Sequence, residues 1–483
     1  MGLGAATLMI SSLFQQGLGL LTLGVVARIL SPADLGTAAY FLIAAAFIEL
    51  LQRQLPLVLV KLKEVTPDHI DTVFTLQVLC GLLLSGLFLA ITPLVETSGV
   101  AAVVSLLPAA AAYAVLAAFR SPRAQLLERD LRFGYGAAED SVSRVVYAMT
   151  AIFLLLVLRD YWALVWATFA AQATRVVWTF SIAPMRPRLT LARWRENLAF
   201  SLWAIPAQMA DLLILQLPQL VIGLALGLRD AGIFRLANSF IALVTIQLAA
   251  PMLRVLYPGL AEVSRDHSHA REAFMRSNEV FLGVMLPFAI GLALLAEDAI
   301  RYGLGEQWVP AAQVIWALAP LQALTMLQSI VRAAAYVADE TRTLFYRNMI
   351  LLAVTAGLLV LGAQFGFQGM IAAVMLSNLT SLLLTLLLAR RYGSDTFFSP
   401  LLRGWRSFLA SAVMAVAVLG VGALPGPADP IDEILRIGAG ILVGMIVYPL
   451  AHLALWRLAG RPDGFESFLL SMLARLRGRL RRS

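Results

Sequence analysis

Residues 27–36 read Ala27-Arg28-Ile29-Leu30-Ser31-Pro32-Ala33-Asp34-Leu35-Gly36, a polar turn lodged between two long apolar runs. At an offset of 196 residues, from 34 to 230, Arg229-Asp230-Ala231-Gly232 falls on Ala33-Asp34-Leu35-Gly36. The flanks align without a gap: Val25-Val26 on Val221-Ile222, Leu30 on Leu226, Ala46 on Ala242. In each copy a pair of apolar runs surrounds a tiny loop and precedes a basic one. Repeated halves of this kind are a transporter signature.

Composition places that repeat in lipid. The chain has 483 residues, 60% hydrophobic and only 14% charged, with a mean hydropathy of +0.82. Soluble domains carry about a quarter charged residues. The 37 Lys+Arg exceed the 29 Asp+Glu by a net +8, but in a membrane chain such an excess belongs to cytoplasmic loops. Nucleic acid is therefore not expected as a partner. The single cysteine, Cys80, excludes an intrachain disulfide. Lys61 and Lys63 are the only lysines, and no glycine-rich loop precedes them, so a P-loop ATPase is excluded. His69, His267, His269 and His452 form no ligand cluster with cysteine or each other, so neither a metal nor any other cofactor is expected, and the chain reads as a non-enzyme. Met1 to Ile10 lacks the pattern of a cleaved signal peptide, which would leave the first apolar segment in the mature protein.

Spanning about 30 Å of hydrocarbon takes about 20 apolar residues. Runs of that kind occur at 5–27, 36–60, 72–92, 100–119, 141–158, 162–182, 198–226, 232–256, 279–296, 311–333, 346–365, 369–391, 407–424 and 434–458. Basic residues alternate between the loops. Lys61 and Lys63, then Arg120 to Arg144, Arg186 to Arg195, Arg265 to Arg276, Arg342 and Arg347, and Arg390 to Arg406 all fall on one side. The loops on the other side are short and hold only Arg28, Arg159, Arg229, Arg301 and Arg436, alongside Glu96, Asp160, Glu297, Asp298, Asp429, Asp432 and Glu433. Both termini are thus expected in the cytoplasm. The predicted fold is all-α and polytopic, with about fourteen transmembrane helices in two six-helix lobes related by a parallel repeat, plus two C-terminal helices. The lobes are 1–190 and 191–395, the extra pair 396–460. The tail, 461–483, is amphipathic and basic, suited to the cytoplasmic membrane surface or to docking a partner protein.

Polar groups inside a bilayer are costly and mark cavities or one another. The first span holds Gln15, Gln16 and Arg28; the second, Glu49, Gln52 and Arg53; the seventh, Gln208, Asp211, Gln216 and Gln219; the eighth, Arg235, Asn238 and Gln247. These equivalent spans are assigned to a central cavity. Arg28, Arg53 and Arg235, with Gln15, Gln16, Gln208 and Asn238, are the candidate substrate contacts, since guanidinium forks match phosphate oxygens and amides suit sugar hydroxyls. Asp211 and Glu49 are the candidate ion-coupling carboxylates. Blander readings stand beside these: Glu49 and Arg53, four apart, neutralise each other; Arg28 and Arg235 snorkel; Asp211 serves packing. Arg175 is a weaker case of a deep arginine. Pro206 and Pro218 suggest a bending seventh helix.

The stretch from Ala27 to Gly36 resembles the Ala-Arg-x-Leu-x-Pro-x-Asp-Phe-Gly turn of the polysaccharide transporter family, the O-antigen and exopolysaccharide flippases of the multidrug/oligosaccharidyl-lipid/polysaccharide (MOP) superfamily. Residues 122–133 and Arg186-Pro187-Arg188-Leu189 are similar to that family too, and Leu35 replaces its commoner aromatic. The resemblance, over about residues 5 to 391, implies a flippase carrying undecaprenyl-diphosphate-linked oligosaccharide units across the bacterial inner membrane by alternating access. It implies membrane lipids as surroundings and a polysaccharide polymerase complex as a candidate partner. Of the motif residues, Arg28 is the candidate headgroup contact, while Asp34 and Gly36 form the turn. The alternatives are a multidrug or toxin extruder of the same superfamily and a membrane glycan polymerase or ligase.

Overall fold

The computed structural model describes residues 2–62, 64–96, 101–130, 132–263, 267–337, 340–392, 396–423, 430–462 and 465–466. Among them there is no strand. A chain in hydrocarbon must satisfy its backbone internally, and helices do so within one segment. The long helices are α1 (Gly2–Ile29), α2 (Pro32–Gln54), α3 (Pro67–Glu96), α4 (Leu106–Ala118), α5 (Phe133–Leu158), α6 (Trp162–Ile182), α7 (Trp194–Leu226) and α8 (Leu228–Val263). They continue as α9 (His267–Gly303), α10 (Pro310–Thr325), α11 (Leu327–Val337), α12 (Thr341–Ala363), α13 (Gly366–Ala389), α14 (Trp405–Gly422) and α15 (Pro430–Leu458). Helix occurs within each of the fourteen expected runs, the fourth divided between Ala101–Val104 and α4 and the tenth between α10 and α11. Ten described helical segments are long and apolar enough to cross a membrane, and Phe14–Ile29 and Leu106–Ala118 are shorter apolar ones.

Several boundaries move from their sequence-based places. The second helix starts at Pro32, not 36, because Ser31 caps it: the Asp34 amide donates to Ser31 Oγ at 3.2 Å, and the Ser31 amide donates to Asp34 Oδ2 at 3.2 Å. Pro32 occupies the first turn, where its missing N–H costs nothing. Asp34 therefore is a capping residue rather than a turn former. The fifth helix begins at Phe133 rather than 141, which draws Glu139 and Asp140 into the helix. The seventh runs unbroken through Pro206 and Pro218 and stops at Gly227, whose φ of 102° suits glycine. The tail expectation falls largely on 463–464 and 467–483, outside the described residues.

The chain packs as two compact units, residues 1–235 and 236–483. In the first, Phe41 on α2, Tyr113 on α4 and Phe169 on α6 form an aromatic core with centroids 5.5 to 6.0 Å apart. Each such pair contributes about 0.5–1.5 kcal/mol beyond area burial. Gly36 on α2 faces the Leu228 carbonyl, and Gly232 on α8 faces the Pro32 carbonyl, so closely that a Cβ on either glycine would strike backbone. Gly36 is hence a close-approach glycine inside a helix, not part of the turn. In the second unit, Ala410, Met414 and Val418 of α14 pack with Tyr448 of α15. Large apolar side chains such as Leu83, Phe153, Leu156, Val416 and Leu442 are left outward, as a lipid-solvated surface requires.

Candidate cavity site

Glu49 and Arg53 lie one turn apart on α2, as an i,i+4 pair must. Three further elements converge on them within the first unit. Arg53 Nη2 is 3.7 Å from Glu49 Oε2 and 3.9 Å from Asp140 Oδ1 on α5. Arg175 on α6 repeats the arrangement, its Nη1 3.7 Å from Asp140 Oδ1 and 4.0 Å from Glu49 Oε2. Tyr113, fully buried on α4, donates to Glu49 Oε1 at 2.6 Å and fixes that carboxylate. Beside them, Arg120 is ion-paired to Glu139.

The distances decide what this square can do. A charge-assisted N–H···O bond runs about 2.7–2.9 Å. All four guanidinium-carboxylate contacts between these residues are longer, so they attract without locking. Arg175 Nη1 is buried and without a hydrogen-bond partner. Arg53 and Arg175 thus approach the same two carboxylates without a close bond to either. The local charge is balanced, not cationic: Glu139 and Asp140, placed outside the membrane in the sequence reading, supply the missing acid.

The other candidates are distributed more widely. Gln15 on α1 donates to Ser141 Oγ at 3.1 Å, next to Asp140. Gln54 donates to Gln208 Oε1 at 2.6 Å, joining the end of α2 to α7. Gln16 and Asp211 are half-buried on α1 and α7, and Asp211 sits one turn along from Gln208. Arg28 is exposed in the last turn of α1. Arg235 and Asn238 are half-buried on α8. Glu49 and Arg53 are the candidates that share one cluster.

A second ionic cluster, in the second unit, escaped the sequence reading. His452 is not alone in an apolar run: its Nδ1 lies 2.9 Å from Glu466 Oε1, and its Nε2 is 3.0 Å from Ser407 Oγ. Arg406, read as a loop arginine, is buried between Glu279 of α9 and Glu466, with 3.2 Å to the latter. Outside the membrane, Glu196 receives Arg193 Nη1 at 2.8 Å and lies 3.0 Å from His69 Nε2. The His69 contact first, then Arg193, holds the Glu196 carboxyl below the usual range.

Apolar helices of spanning length, gathered around a polar cluster in their interior, define a multi-pass membrane protein. The chain belongs to the polysaccharide biosynthesis protein family, which it matches over residues 25–313. It is 26% identical over 438 residues to the succinoglycan biosynthesis transport protein ExoT of Rhizobium meliloti (strain 1021), covering 89% of this chain and 88% of that one. It is 24% identical over 333 residues to the lipopolysaccharide biosynthesis protein WzxC of Escherichia coli (strain K12), 65% of each. Among solved structures, the lipid II flippase MurJ in an inward closed conformation superposes with a TM-score of 0.75 at 14% identity, covering 94% of this chain and 99% of MurJ. An inward-facing MATE multidrug transporter of the MOP superfamily gives 0.58 at 15% identity, covering 78% and 94%. At such identities these two likenesses establish the fold.

Proposed function

We propose that the protein is a flippase for undecaprenyl-diphosphate-linked oligosaccharide units, moving them across the bacterial inner membrane for O-antigen, capsule or exopolysaccharide synthesis. The observation that carries this is the pair Arg53 and Arg175, held by carboxylates at ion-pair but not hydrogen-bond distance. A diphosphate offers several acceptor oxygens and displaces Glu49 and Asp140 from the forks without first breaking strong bonds. Family membership supports the substrate class, and the fold supports alternating access by lobes 1–190 and 191–395. Both termini lie in the cytoplasm in this reading, on the side of the arginine-rich loops. Arg28 and Arg235 contact the head in other states. Lacking a P-loop, the chain draws on an ion gradient, the membrane potential or downstream consumption of the product, with Glu49 and Asp211 as the candidate coupling carboxylates. A multidrug extruder is the second reading, favoured by the carboxylates Glu49 and Asp140, which suit a cationic drug.

Sidedness separates the two. In spheroplasts depleted of this protein, a membrane-impermeant sugar-modifying enzyme should fail to reach accumulated lipid-linked oligosaccharide. Full accessibility would reject flipping and leave extrusion.

A further inference from the structure

At the arginine-rich end of the first unit, α2, α3, α5 and α6, with the segment 120–128 that follows α4, line a cavity of about 230 Å³ that includes Arg53. Its lining has unspent hydrogen-bonding capacity. Gln52 Oε1, Gln54 Oε1, Gln77 Oε1 and Trp178 Nε1 are buried atoms on lining residues, and none has a hydrogen-bond partner. The three glutamines are 2%, 6% and 1% exposed. Their amide nitrogens are already engaged: Gln52 Nε2 donates to the Gln77 carbonyl at 3.1 Å, Gln77 Nε2 to the Gln52 carbonyl at 3.4 Å, and Gln54 Nε2 to Gln208. Those bonds fix which way each amide points and leave the acceptor oxygens open.

Buried polar atoms are almost always satisfied in native proteins, so these four indicate an occupant. Its chemistry follows from theirs. Three acceptors and one donor call for a molecule that mostly donates, which a phosphate, an acceptor, does not supply at these four atoms. Of the charged residues in the lining, Arg120 and Glu139 are ion-paired to each other, and Arg53, Glu128 and Arg132 complete the charged part of the wall. A hydroxyl both donates and accepts, so a neutral polyhydroxylated ring offers partners for both kinds of atom. The cavity has room for one such ring and a few waters.

We propose that this cavity is a sugar subsite, taking one neutral hexose of the transported glycan through Gln52, Gln54, Gln77 and Trp178. The inference rests on the flippase reading, with the diphosphate at Arg53 and Arg175 and the hexose beside it.

The test uses the full chain in lipid nanodiscs with the methyl glycosides of glucose, galactose and N-acetylglucosamine as probes, read by saturation-transfer NMR. At least one should give a signal that falls five-fold or more in Trp178→Phe, which deletes the N–H but keeps a ring, and likewise in Gln54→Met. Arg175→Ala, outside the cavity lining, should leave the signal intact while abolishing transport. No signal from any of the three means that water alone fills the cavity and overturns the proposal. A signal unchanged in both cavity variants places the sugar elsewhere and overturns it equally. Full accessibility of the lipid-linked oligosaccharide in depleted spheroplasts strikes the flippase reading instead, so the two ideas fall separately.

Discussion

Arg175 has the least exposed guanidinium of its square, at 17%, against 46% for Arg53. Removing it leaves Glu49 and Asp140 sharing one arginine. Arg175→Ala is expected to reduce transport ten-fold or more in the sidedness assay. Arg175→Lys restores charge but not the planar fork, and should recover less than half of the loss; full recovery would show that charge alone suffices. Glu196 governs a pH effect. A carboxyl lowered on folding stabilises above its unfolded value, about 4.3, and that contribution is lost as pH falls through the folded value. The segment it anchors is stitched to α3 by Thr190 N to Thr75 Oγ1 at 2.9 Å and Arg193 N to Thr72 Oγ1 at 3.3 Å. Hydrogen exchange of residues 190–197 should therefore accelerate on acidification from pH 7 to below about 4.3, beyond the intrinsic rate change. In Glu196→Gln it should be fast already at pH 7.

Helices meet where side chains permit, and α2 and α8 meet at glycine. Gly36→Ala should force them apart at a cost of about 1–3 kcal/mol, as should Gly232→Ala, both seen as lowered thermal midpoints in detergent. The double variant should cost less than the sum, since one separation relieves both clashes. In the second unit, α14 depends on its buried arginine. Arg406→Ala strands Glu279 and Glu466 in the interior and should cost about 3–5 kcal/mol. Arg406→Met combined with Glu279→Leu should recover part of that, measured by the same melting experiment. The sequence disclosed these elements unevenly. Glu49 and Arg53 were legible because a helical i,i+4 pair needs no tertiary knowledge. Asp140 was not, because the apolar run begins only after it while the helix begins at Phe133. Arg406 looked like a loop residue beside other arginines; its burial depends on Glu279 and Glu466, which lie far away along the chain.

For the whole molecule, apolarity and the repeat carried most of the information. A chain so poor in charge has few soluble alternatives. The glutamine cavity shows the limit: Gln52 and Gln77 stand in different spans, and only the folded chain joins them by reciprocal bonds. The glycine contact carries a further meaning. The offset that maps Gly36 onto Gly232 also maps Pro32 onto Leu228. Each glycine touches the carbonyl of the residue equivalent to the one its counterpart touches. That reciprocity is the isologous contact of a two-fold homodimer. Locally, the motif recognises its own duplicate, as two half-length ancestral subunits would have done before fusion placed both on one gene.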